Sequence, residues 1–392
     1  MRILHLVSYP LYSGPLPGVL ALAAAQQAAG HKVYFACDLI RGNFDGFEEA
    51  ARPRLVQAGL KPPPGPRLSL STKATLRQNW ADWRALRALL HGGSIDIVHT
   101  HMSHDHALVA LAGRGSALHV RTLHATRNLR WRPGQAALLR CANAFIVRCV
   151  NHAQKLHDRF AVPSTHIQCI PGSVDARAWV IADAAERSRR GAAFRATHNI
   201  PGDVPLLGQV ALIEHRGQEE VLAALALLPA IPQAAAPHVV FVGDGAQAGA
   251  LRAQATALGL SNRAHFTGYL PHESLRNAYA AVDACVVMQA GNDAAVRAAL
   301  EALAAGRPVL APSVDALGET VDTAVGYRIV ERTAASVAVA MAQWLADLDA
   351  AAQRGQVGAA RMLLARSVKA ESEATLDLYR SASRLLRTDL TC

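Results

Sequence analysis

At 392 residues the chain exceeds the size of a single ordinary core and suits two domains, and 51% apolar residues are ample to bury them. No stretch approaches eighteen uninterrupted apolar residues, so no transmembrane helix is expected; six scattered cysteines without a CxxC argue against a disulfide or zinc framework and point to reduced thiols in a cytosolic protein. The net charge of +10 is uneven: residues 1–180 carry 21 Lys+Arg against 9 Asp+Glu, while the remainder carries 19 against 21. A basic first half suits an anionic partner, such as nucleic acid, phospholipid headgroups or a phosphorylated glycan. Aromatics at 5% and the lack of a recognition motif argue against nucleic acid.

In chain order, "MRILHLVSYP" lacks the length and cleavage site of a signal peptide and reads as a buried first strand. Further β-prone runs follow at "KVYFACD", "DIVHTH", "HVRTLHA", "AFIVRC" and "IQCIPG", with helical patterns such as "GVLALAAAQQAAG" and "ADWRALRALLHGG" between them. "KPPPGP" is a proline-stiffened loop. Residues 181–204 gain charge, Gly and Pro and read as a linker. The second half repeats the rhythm, with strands "PLLGQVAL", "HVVFVGDG", "AHFTGYL", "ACVVMQA", "RPVLAPS" and "VGYRIV", then a helical tail. Alternation of this kind predicts an α/β chain of two parallel, doubly wound sheets. The expected division is a first domain over 1–180, a linker over 181–204, a second domain over 205–365 and a tail over 366–392. Open sheets of this type bind ligands beyond the carboxyl ends of their strands, so the site is expected in a cleft between the domains.

Candidate chemistry lies at those strand ends. Gly14 and Gly18 in "SGPLPGV" suit either a phosphate-facing loop or a plain βα turn. His99, His101, His104 and His106 cluster, but without a completing Cys and with the first pair in strand alternation they make a poor zinc set. His124 ends a strand, where both a cleft residue and a structural histidine are found. Arg127, Arg130, Arg132 and Arg140 with Trp131 suit an interfacial patch or an ordinary basic surface. Arg216 follows a strand and faces a possible diphosphate, and Gly243 in "VGDG" permits close approach of a ligand. The acid pair in "DLD" (347–349) falls in a helical pattern and reads as a solvated face. In "GNDAAVRAALEALAAGRPVLA", Asp293 suits an N-cap, and Arg297 lies four residues from both Asp293 and Glu301. That pattern fits an internal ion pair, or a carboxylate at Glu301 that accepts two hydroxyls of a ribose or hexose.

The order "HFTGYLPHESLRNAYAAVDACV" then "DAAVRAALEALAAGRPVLAP", with "SGPLPG", "DIVHTH", "RTLHAT", "IPGSVDARAW" and "FVGDG" before it, resembles the family 4 retaining glycosyltransferases of GT-B architecture. Bacterial enzymes that build lipopolysaccharide core or related surface glycans are similar. The resemblance implies two Rossmann-like domains facing an interdomain cleft, an acceptor domain first and a nucleotide-sugar domain second. It implies no cofactor and no metal, with a UDP-linked sugar as donor and a glycan or glycolipid hydroxyl as acceptor. By the same resemblance His124 and Asp293 are catalytic, and Gly14, Arg216, Gly243, Asn292, Asp293, Glu301 and Glu319 bind the donor. A cytoplasmic enzyme peripheral to the inner face of the membrane follows from the basic first domain. Two departures stand out: Ala211 occupies the place of a usual Arg five residues before Arg216, and Gly172 and Ser173 replace an Asn-Gly pair. They motivate an alternative, a catalytically weakened sugar-nucleotide binder serving as a partner subunit.

Overall fold

The computed structural model describes residues 1–9, 14–38, 54–228, 236–289 and 293–389. The chain forms two compact units, one from Met1–Gly172 with the C-terminal helix, the other from most of Ser173–Ser367. Each unit holds one six-stranded sheet whose named strands all pair in parallel.

In the first unit the order is β2 (Lys32–Cys37), β1 (Arg2–Val7), β3 (Ile97–Thr100), β4 (Leu118–Leu123), β5 (Ala144–Val147) and β6 (Ile167–Cys169). Period-2 alternation assigns the two faces. Ile3, Val7, Ile97, Leu118 and Val120 pack with helix Leu16–Ala28 on one side. Leu4, Leu6 and Val98 pack with helices Leu76–His91 and Ser103–Ala112 on the other. His5, His99, His101, Thr122 and His124 therefore share the first face, while His119, Arg121 and Leu123 share the second.

The last helix, Val368–Asp389, belongs to this same unit. Leu376 and Tyr379 join its core. The buried guanidinium of Arg148 donates to Glu371 at 2.7 Å, and His99 Nδ1 lies 2.6 Å from the Tyr379 hydroxyl. Losing one partner of such a buried pair costs about 3–5 kcal/mol, so these contacts specify where the helix docks.

In the second unit the order is β12 (Gly326–Ile329), β11 (Val309–Pro312), β10 (Ala284–Val286), β7 (Leu206–Val210), β8 (His238–Val242) and β9 (Ala264–Gly268). Its core centres on Val221, Leu225, Phe241, Leu310 and the fully buried Trp344. Residues 181–204 include helix Ala184–Thr197. Arg195 on that helix is mostly buried and donates to Ala281 O at 3.0 Å and to Asp283 at 3.0 Å, which ties the segment to the second unit. Of the "DLD" acids, Asp347 sits at a break between helices Ala334–Leu345 and Leu348–Ala365, while Asp349 is exposed in the first turn of the second, as a solvated helical face would have it. Asp347 caps the second of these, accepting the Ala350 N–H at 2.8 Å. The correction follows from side-chain chemistry: Asp competes for backbone N–H groups and favours an N-cap over a helix interior.

Candidate active site

In the second sheet the strand order reverses between β7 and β10, and the loops after these two strands flank the crevice expected to take a ligand. The loop after β7 holds Arg216, partly buried, whose guanidinium donates to Gln289 just beyond β10. The backbone here is set by Gly217, at φ +88°, because a Cβ would come within 2.2 Å of Met288 Cβ. Gly217 opens helix Gln218–Leu227, so Arg216 stands beside a helix N-terminus whose N–H groups and dipole favour an anion. His215 in the same loop is occupied by Glu219 at 2.9 Å.

Glu301 lies on helix Asp293–Ala304, which follows β10. It retains some surface, yet burial pushes its carboxyl pKa up to about 7, with Arg297 and then the Tyr279 hydroxyl opposing the rise. The Tyr279 bond is long, 3.4 Å. Arg297 thus acts on Glu301 as the helical spacing suggests, but it does not restore an ordinary carboxylate. The group is one that ligand hydroxyls would complete. Asp293 opens the helix, and Asn292 lies outside the described residues.

Gly243 follows β8 at φ +144°, where a Cβ would fall 2.0 Å from the Ala211 carbonyl oxygen. Close backbone packing therefore requires this glycine, with or without a ligand. Ala211 N–H in turn donates to Val242 O at 3.0 Å. Glu319 sits exposed on the short helix Asp315–Thr320.

In the first unit Gly14, at φ +57°, directly precedes Pro15, the N-cap of helix Leu16–Ala28, and Gly18 lies within that helix. His124 follows β4 and is buried. It ends a chain of three histidines. His5 Nε2 lies 2.8 Å from Gln26 Oε1, His5 Nδ1 lies 3.0 Å from His101 Nε2, and His101 Nδ1 lies 3.0 Å from His124 Nε2. Burial pulls His5 down to about 4 and His101 well below the usual histidine range, so both rings are neutral. With Gln26 Oε1 accepting, each ring donates from Nε2 and accepts at Nδ1. The series ends with His124 donating from Nε2 to His101 Nδ1.

The sequence cluster of histidines is divided by this geometry. Nitrogens of His5, His99 and His101 come within 4.8 Å of one another, but hydrogen bonds engage both nitrogens of each ring. His106, on the next helix, turns to the opposite sheet face and approaches His119 at 3.3 Å and Leu138 O at 2.9 Å. Sequence reasoning missed His5, Gln26, Gln289 and Tyr279. The alternation of "RILHLV" places His5 on one face with Ile3 and Val7, but nothing local reveals what it meets there.

Comparisons with known proteins cover both units. Residues 18–178 match "Glycosyltransferase Family 4", and residues 192–361 match "Glycosyl transferases group 1". A 2-deoxystreptamine N-acetyl-D-glucosaminyltransferase of Streptomyces fradiae is 29% identical over 370 residues, covering 86% of this chain and 85% of its own. Anabaena HepE, solved with UDP and glucose, superposes with a TM-score of 0.77 at 16% identity, over 97% of this chain and 100% of its own. WaaG, a glycosyltransferase involved in lipopolysaccharide biosynthesis, superposes at 0.66 with 16% identity, over 97% and 99%. With one signature on each sheet, in the family's order and over its fold, the chain belongs to the family 4 glycosyltransferases of GT-B architecture and is a retaining, nucleotide-sugar-dependent enzyme.

Proposed function

We propose that the enzyme transfers a sugar from a UDP-linked donor to a hydroxyl of a bacterial surface glycan or glycolipid of the lipopolysaccharide-core type. The observation that carries the donor half of this reading is the contact of Arg216 with Gln289 across the loops after β7 and β10, with Arg216 at a helix N-terminus and a desolvated Glu301 on the helix that follows β10. The UDP bound in HepE and the role named for WaaG support the donor and acceptor classes. In this reading the second unit binds the nucleotide sugar and the first binds the acceptor. Arg216 and the N-terminus of helix Gln218–Leu227 offset the charge on the leaving diphosphate, so no metal is required. Glu301 accepts hydrogen bonds from the ribose hydroxyls. Asn292, Asp293, Gly14, Gly243 and Glu319 complete the donor site. Catalysis is electrostatic and positional, since the motif supplies no evident nucleophile. Release of UDP from UDP-hexoses, stimulated by acceptor glycans, tests the reading; no turnover of any nucleotide sugar would refute it.

His124 offers a separate check. Its place after β4 in the acceptor unit suits a hydrogen bond to the reacting sugars. His124→Ala should lower turnover about tenfold, the worth of one such bond, with UDP affinity unchanged. Unaltered turnover would leave the residue a structural end to the histidine chain.

A peripheral membrane location is part of the same proposal. It rests on the excess of 12 positive charges over residues 1–180 and on Trp131, 68% exposed. Each Lys or Arg near an anionic bilayer is worth about 1 kcal/mol, and the attraction fades within a Debye length. No helix among the described residues is long and apolar enough to cross a membrane. Co-sedimentation with anionic vesicles, reversed by salt and absent with neutral ones, is expected. Equal behaviour of the two vesicle types would end the membrane reading.

The second reading, a weakened partner subunit, keeps its motive in Ala211. Full acceptor binding with no transfer from any donor would favour it.

A further inference from the structure

A cavity of about 570 Å³ lies wholly within the first unit, at the carboxyl ends of β3 and β4. That volume falls inside the usual range for small-molecule sites, roughly 300–1,000 Å³. Ser103 and His106 line it from the helix after β3, Arg127 and Arg130 from the segment after His124, and Gln135 from helix Gln135–Leu139. Four arginines contribute in all (Arg121, Arg127, Arg130 and Arg132), and no acidic residue does. Arg127, Arg130 and Arg132 are exposed, and none has a carboxylate partner among the described residues.

Arg121 differs from them in being almost wholly buried. Its guanidinium reaches the Met102 carbonyl and meets Asp105 only at 3.5 Å, while its Nε has no hydrogen-bond partner. Asp105 is itself shared, accepting the Ser8 N–H at 2.8 Å and the Met102 N–H at 2.9 Å. Burial moves the two groups toward neutrality, Asp105 up to about 7 and Arg121 down to about 10. The positive charge behind the cavity is therefore poorly compensated from within. Gln135 adds a second unmet group. Its Nε2 donates to Asn128 O at 2.6 Å, which orients the amide, while its Oε1 has no donor. An anion in the cavity would satisfy the exposed arginines.

We propose that this cavity binds an acidic sugar of the acceptor, the exposed arginines taking its phosphate or carboxylate with the buried Arg121 charge behind them. The inference rests on the acceptor role given above to the first unit, and it narrows the acceptor to an anionic glycan. A lipid headgroup shares the phosphate chemistry, but a concave site lined by side chains from three segments suits one sugar ring better than a flat bilayer.

The test uses the full chain and its Arg127→Gln/Arg130→Gln/Arg132→Gln variant, whose replaced side chains are exposed. Calorimetric titration with glucose 6-phosphate and with glucuronic acid is compared with glucose, glucosamine and UDP. The acidic sugars should bind the wild type, more weakly at high salt, and lose about tenfold or more in affinity in the variant. Glucose and glucosamine should not bind measurably, and UDP should bind both proteins alike. Equal binding of the acidic sugars by both proteins, or their displacement by UDP, would overturn the proposal by placing them in the donor site. Loss of binding to phosphatidylglycerol vesicles in the variant, without binding of the acidic sugars, would assign the arginines to lipid and overturn it as well. Failure of UDP to bind, with the sugar results as expected, would instead count against the donor reading and leave the acidic-sugar site standing.

Discussion

Replacing Arg216 by glutamine should lower the rate of sugar transfer by about 10²–10³-fold, the usual cost of removing one preorganised group that stabilises developing charge. The leaving diphosphate gains negative charge as the glycosidic bond breaks. Ala211 supplies no cation where the family resemblance leads one to expect an arginine, and His215 is held by Glu219. In the proposed reading Arg216 carries the task with the helix N-terminus behind it. Its present contact with Gln289 bridges the loops after β7 and β10, so the side chain already points across the strand-order reversal. Arg216→Lys should recover part of the rate, because the charge remains while the forked geometry is lost. Steady-state kinetics with a UDP-sugar decide the matter, the deficit appearing in kcat as well as kcat/KM. Rates within twofold of wild type for Arg216→Gln would mean that the diphosphate is neutralised elsewhere.

Glu301→Gln is expected to weaken UDP binding by about 10- to 150-fold, since a charge-assisted hydrogen bond is worth roughly 1.5–3 kcal/mol. The same substitution separates the two readings of this helix by its effect on stability. A carboxyl raised to about 7 in the folded chain, from 4.5, binds its proton more tightly there than when unfolded. Its ionisation thus costs stability as pH rises from the unfolded value through 7, and above 7 the cost is complete. Gln at 301 removes that cost, so the unliganded variant should be more stable than wild type at pH 8. An ion pair with Arg297 kept for stability predicts the reverse. Binding adds a second sign: ribose hydroxyls donate to the carboxylate, so wild-type affinity should rise about tenfold between pH 6 and pH 8, and the variant should lack that component. A less stable variant with unchanged UDP affinity would return Glu301 to the ion-pair role.

Much of this protein was legible from residues in order. Twelve β-prone runs separated by helical patterns foretold two doubly wound sheets, because parallel strands buried on both faces need short apolar runs and helical crossovers between them. The acidic motif in the helix after β10 and the basic residue after β7 were visible because ligand loops of such sheets follow strand ends, whose positions periodicity reveals. What chain order left undecided is what meets across distance. The C-terminal helix reads as a tail, yet Glu371 and Tyr379 place it on the first unit through Arg148 and His99, residues more than 220 positions away. Four neighbouring histidines read as a poor zinc set, and pleat and helix send His99 and His101 to one sheet face and His106 to the other; His124 meets His101, backed by His5 and Gln26, which chain order does not reveal. The charge state of Glu301 depended on burial and on Tyr279, 22 residues earlier on another helix. Composition and periodicity encode local geometry and its hydrophobic faces, whereas desolvation and hydrogen-bond direction depend on the packed neighbours, which exist only once the chain has folded.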